Sequence, residues 1–202
     1  MEIRKILGVL FDLDGTLVRI PINYTELREK LKKIALKYGV HSDFKPIIGE
    51  IDRLAKILKN KEEFIEECIK IVDYYEEKAV ESVELITGAK ECLSLLKSMG
   101  KKIGVVSNNS NSCVIKVLKN TDLLKYIDVL VGREKLKVKP DPYPILLAID
   151  KLNIKNENVI MIGDSEIDLE AAKKAGITGY IFKGSNLYDF IYSIEDLSNG
   201  LR

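Results

Sequence analysis

The 202-residue chain contains no tryptophan and no glutamine, one histidine and three cysteines. Cys68, Cys92 and Cys113 are odd in number, more than twenty residues apart and without a CxxC spacing, which excludes a disulfide framework and a cysteine zinc site and leaves buried thiols. No charge of either sign dominates. Thirty-two Lys and Arg stand against 31 Asp and Glu, so no global field draws the chain to nucleic acid or anionic lipid. Long apolar runs are missing too: the first one falls far short of the roughly 18 residues of a membrane span. Acidic residues interrupt it where a signal peptide would carry a small-residue cleavage site, so a cytoplasmic protein is expected. What is present, 46% hydrophobic and 31% charged residues, excludes disorder and fibre and suits one large domain or a core with a smaller insert.

Residues 6–11 (ILGVLF) form a continuous apolar run, the pattern of a strand covered on both faces. Similar runs recur at 102–107, 128–132, 158–164 and 178–184. Helical patterns lie between them at 88–99, 111–119, 141–152 and 165–175, with Asp141 as the expected N-cap of the third and Pro142 as its first residue. This alternation predicts an α/β fold with a doubly wound parallel sheet. Residues 19–86 break it, because they hold only amphipathic helical patterns, and an all-helical insert after the first strand is expected. The division predicted is 1–18 and 87–202 for the α/β core and 19–86 for the insert.

In an extended strand, side chains two apart share a face, so FDLDGT places Asp12 and Asp14 together at the C-terminal end of the first strand. Ligands bind at that edge in open α/β sheets. A second acidic group closes another strand, with Asp164 at its end and Asp168 one helical turn on. Carboxylates about 4 Å apart repel by roughly 4 kcal/mol at an effective dielectric of about 20, so a cation belongs among them. Oxygen donors of this kind suit Mg²⁺. Ser107 ends a third strand with a hydroxyl, and amides from Asn108 onward are expected to open a helix and form an anion site. Lys139 precedes Pro140 and can reach in as a point charge, with Lys135 and Lys137 as rivals.

FDLDGTL, VVSNN, KPDPYP and GDSEIDLEAAKKAG resemble, in order, the four motifs of the haloacid dehalogenase (HAD)-like hydrolases, nearest to the phosphoglycolate phosphatase and β-phosphoglucomutase-like branch. The resemblance spans residues 5–18 and about 88–190. It implies Asp12 as nucleophile and metal ligand, and Asp14 as general acid/base that also lends its backbone carbonyl to the metal. Asp164 becomes the other protein ligand to Mg²⁺, and Asp168 a neighbour behind it. Ser107 and the Asn108 amide become the phosphate site, and Lys139 holds both the phosphate and Asp12. Because Asp14 is present, phosphate ester chemistry is implied rather than cleavage of carbon–halogen or carbon–phosphorus bonds.

The implied activity is a Mg²⁺-dependent phosphatase for a small phosphorylated metabolite, phosphoglycolate-like or a sugar phosphate, acting as monomer or homodimer through an aspartyl-phosphate. A phosphomutase and a receiver-like, phosphorylation-switched binding module are the alternatives. Two departures lie outside the four motifs: Arg19-Ile20-Pro21-Ile22-Asn23 replaces the usual Asp-Ser and His-bearing helix, which bears on specificity, and no proline precedes the helix at 88–99. His41 reads as a surface or loop residue, and Arg19 as a solvated hinge. Tyr74, Tyr75, Phe64 and Ile71 read as core of the insert.

Overall fold

The apolar run at residues 8–11 forms the middle strand of a parallel sheet, as its burial on both faces requires. The computed structural model describes residues 6–134 and 136–194. Strand β1 (Gly8–Phe11) lies between β4 (Lys102–Ser110) and β6 (Val159–Gly163), while β5 (Val129–Arg133) and β7 (Thr178–Ile181) form the edges. The order is β5-β4-β1-β6-β7, with Phe11 opposite Val105 on one side and Ile162 on the other. The expected doubly wound α/β architecture is therefore present.

The period-two alternation along β1 sends side chains to two separate cores. Val9 and Phe11 join Val105 and Ile162 beneath α4 (Ala89–Ser98), α5 (Asn111–Asn120) and α8 (Leu187–Ser193). Leu10 points the other way, to Val106 and Met161 beneath α6 (Tyr143–Leu152) and α7 (Glu166–Lys174). Each such fully buried side chain contributes about 1.5–3 kcal/mol. The three cysteines are free and buried, and burial pushes the Cys68 and Cys113 thiols up to about 12. Among the described residues no helix is long and apolar enough to cross a membrane.

The insert contains α1 (Tyr24–Lys37), α2 (Ile47–Ala55) and α3 (Lys61–Ala79) around a core of its own, including Leu27, Leu31, Ile51, Phe64, Cys68 and Tyr75. Val138, from the segment before Lys139, packs into that core and ties it to the sheet's ligand edge. The insert is not all-helical: β2 (Val18–Arg19) and β3 (Glu84–Leu85) pair antiparallel where the chain leaves and re-enters the core. Two-residue strands carry no periodicity, so the pattern at 19–86 showed helices alone. The other corrections are local. Tyr74 is 58% exposed and lies edge-on to buried Tyr75, so it belongs to the surface. Asp141 is not the N-cap of α6; Pro142 holds that place, and Asp141 Oδ1 accepts the Tyr143 amide at 2.8 Å.

Candidate active site

The C-terminal ends of β1, β4 and β6 meet below the insert. Asp12 follows β1 directly, and its amide still donates to the Ile162 carbonyl at 2.9 Å, which pins its carboxylate to the sheet edge. Gly15 then turns the chain with φ +87°, a conformation that glycine adopts without strain. A β-carbon there would collide with the Asp164 carboxylate, so glycine also lets the two acidic loops approach.

Lys139 reaches the same point and is buried. Its Nζ donates to Asp12 Oδ1 at 2.5 Å, Asp168 Oδ1 at 2.6 Å and the Val106 carbonyl at 2.8 Å, which uses all three ammonium donors. Burial by itself would lower Lys139, but the two carboxylates outweigh it and keep the ammonium charged. Burial pushes Asp12 upward, the Lys139 ammonium opposes that rise, and Asp168 adds to it. Lys137 instead lies over the Tyr143 ring at 5.1 Å, and Lys135 lies outside the described residues.

Asp168 bonds within its own helix and to the lysine at once. Its Oδ2 accepts from the Ser165 amide at 3.2 Å and the Ser165 hydroxyl at 2.6 Å, completing a capping box on α7, while Oδ1 holds Lys139. Asp164 is exposed at the rim, and one oxygen each of Asp12, Asp164 and Asp168 lie within 4.8 Å of one another. Three carboxylates against one ammonium leave an excess of negative charge on hard oxygen donors, which fits a magnesium ion. Both Asp168 oxygens already have protein partners, so Asp12 and Asp164 are the side chains freer to hold such an ion.

Asp14 takes a different direction. Its Oδ1 accepts the Ile20 amide at 2.8 Å and its Oδ2 the Tyr24 hydroxyl at 3.4 Å, both from the entry to the insert. Burial pushes its carboxyl above the usual range, the Ile20 amide works against that, and Asp164 adds to the rise. Ser107 is buried, donates to Asn109 Oδ1 at 3.1 Å and accepts the Asn109 amide at 3.2 Å. The amides from Asn108 onward do not open the helix as expected, because β4 continues to Ser110, whose hydroxyl caps α5 at the Asn111 start that the helical pattern at 111–119 gave. The Asn108 side chain forms a two-bond pair with the Lys139 backbone at 2.9 and 3.0 Å, fixing the lysine's entry.

These groups line a cavity of about 730 Å³ between sheet and insert, with Tyr24, Arg28 and Glu76 on the insert side; Asp164 lies outside its lining. Arg19 and His41 are exposed and do not line it. Sequence reasoning missed Asn109, Glu76 and Arg133. A signal existed for two of them: Glu76 continues the buried i,i+4 stripe of Cys68 and Val72, and Arg133 ends an apolar strand.

Residues 9–181 match the model of the haloacid dehalogenase-like hydrolases. The chain belongs to this family. Among its HAD relatives is a phosphoglycolate phosphatase of Aquifex aeolicus, 34% identical over 92% of this chain and 91% of that protein. A phosphorylated carbohydrates phosphatase of Thermotoga maritima is 30% identical over 94% of this chain and 87% of that protein. A crystal structure of β-phosphoglucomutase from Clostridium difficile shares the fold, with a TM-score of 0.72, 21% identity and coverage of 97% and 99%. Membership in a hydrolase family leaves the receiver-like binding module without support.

Proposed function

We propose that this phosphoric monoester hydrolase of the HAD type cleaves a small phosphorylated metabolite of the cytoplasm through a phosphorylated Asp12. Residues 1–18 and 87–202 would form the catalytic core and 19–86 a helical cap over it. The observation that carries this reading is a pair of carboxylates with different partners on one cavity. Burial pushes both upward, but Asp12 is held against the Lys139 ammonium while Asp14 faces the insert and accepts the Ile20 amide.

One Asp12 oxygen attacks phosphorus in line, the bond from phosphorus to the ester oxygen breaks, and Asp14 gives its proton to the departing alkoxide. Asp14, now ionised, takes a proton from water. The resulting hydroxide attacks the aspartyl-phosphate, the bond from Asp12 to phosphorus breaks, and inorganic phosphate leaves. Ser107, the Asn108 amide and Lys139 would hold the phosphoryl oxygens, and Asp168 keeps Lys139 in place. Asp12, the Asp14 carbonyl and Asp164 would hold Mg²⁺, whose positive charge, when bound, offsets repulsion between the carboxylate and the phosphoryl group. The cavity volume suits a small ester, and the relatives named for phosphoglycolate and phosphorylated carbohydrates point to that size class. A mutase reading rests on fold likeness alone.

A phosphate-release screen over a panel of small phosphate esters and p-nitrophenyl phosphate tests the proposal. Release with Mg²⁺, its loss with EDTA and its return on adding Mg²⁺ are expected; no release from any ester overturns it.

A further inference from the structure

Strand β4 breaks register with β5 between Val106 and Ser110, and that irregular stretch is the one that carries Ser107 and Asn108. A break of this kind frees backbone groups from the ladder, and buried ones need other partners. Two charged side chains supply them. Arg133, at the end of β5, donates from Nε to the Asn108 carbonyl at 3.1 Å, and Glu76, on α3 of the insert, accepts the Ser110 amide at 3.0 Å. The two are joined by an ion pair of 2.9 Å, with side chains only 3% and 4% exposed. Asp73, 47% exposed, is a second partner of Arg133 at 2.9 Å.

The close approach is built into the backbone as well. A β-carbon at Gly132 would lie 2.8 Å from the Asn109 carbonyl and the Asn111 amide, so a side chain there would push the irregular stretch away. A buried ion pair adds little stability over apolar residues of the same volume, whereas it does impose direction on the groups it bonds. From Arg133 the chain of bonds continues through Asn108, whose side chain pairs with the Lys139 backbone.

We infer that Glu76 and Arg133 are positioning residues for the phosphate cradle, aligning the Ser107–Ser110 segment and tying its geometry to the docked state of α3. The inference rests on the proposed phosphatase activity. The pair touches no reacting atom; it acts through Asn108 and Ser110.

The test uses Arg133→Lys, which keeps the charge but loses the planar fork, and Glu76→Gln, which keeps size and an acceptor for Ser110. Asp73→Asn is the control. Inhibition of p-nitrophenyl phosphate hydrolysis by inorganic phosphate is measured beside KM, kcat and the thermal midpoint. Both variants are expected to weaken phosphate inhibition and raise KM by about tenfold, the scale of one oriented hydrogen bond to a charged group, with kcat changed less. Asp73→Asn should leave both constants unchanged. Variants with a lower midpoint but wild-type phosphate inhibition overturn the inference and make the pair merely structural. Should Arg133→Lys fail to fold, Glu76→Gln alone decides between these results. Wild-type protein that neither hydrolyses the ester nor binds phosphate overturns the phosphatase reading instead, and the inference falls with it.

Discussion

Asp12 and Asp14 are two residues apart and chemically identical, yet their surroundings differ in the way the proposed division of tasks requires. Burial raises both carboxyls, Asp12 to about 7, but an ammonium at 2.5 Å opposes that rise and favours the Asp12 anion that a nucleophile needs, whereas Asp14 has only an amide and a phenol hydroxyl as partners. Asp12→Asn should lower phosphate release by about three orders of magnitude or more and remove the acid-stable phosphoenzyme signal. Retained turnover would take the nucleophile role from Asp12. Asp14→Asn should slow alkyl phosphates far more than p-nitrophenyl phosphate, whose leaving group needs little protonation; equal losses in a leaving-group series would count against its acid role. These residues were legible because a carboxylate, a serine or a Lys-Pro at a strand end is a local pattern. Asn109 was not, since its role is to orient the Ser107 hydroxyl and only the turn of the chain shows it.

At the level of elements, the edges of the sheet are held by side chains that answer single backbone groups. Asp128 precedes β5, accepts the Ile103 amide at 2.7 Å and pairs with Lys97 at 2.9 Å. Burial acts to raise its carboxyl, but the Ile103 amide and the Lys97 ammonium together hold it below its ordinary 3.8. A depressed carboxyl stabilises the fold fully above the unfolded value and loses that contribution as pH falls through the folded one. Asp128→Asn should therefore cost about 1 kcal/mol at pH 7 and little at pH 2, read from urea midpoints at the two values. Strand and helix positions were legible from apolar periodicity. The β2–β3 ribbon and the continuation of β4 to Ser110 were not, because a two-residue pairing and an extended strand end depend on partners distant in sequence.

Taken as a whole, the molecule places a negatively charged rim between a sheet edge and a helical insert, and a cation should bind the folded chain more tightly than the unfolded one. Mg²⁺ at about one hundred times its dissociation constant should stabilise the protein by about 2.7 kcal/mol in thermal or urea denaturation. Asp164→Asn should remove most of that gain while folding normally, as Asp164 is exposed; an undiminished gain would put the ion elsewhere. The amino-acid sequence alone determined the sheet, its alternating helices and the acidic, serine and lysine positions at strand ends, because periodicity and local chemistry are written in neighbouring residues. Only the tertiary structure decided that Lys139 would bridge Asp12 to Asp168, and that Glu76 from the insert would meet Arg133 across 57 positions. Pairings between distant segments follow from how helices pack on a sheet, and no short stretch of chain records that.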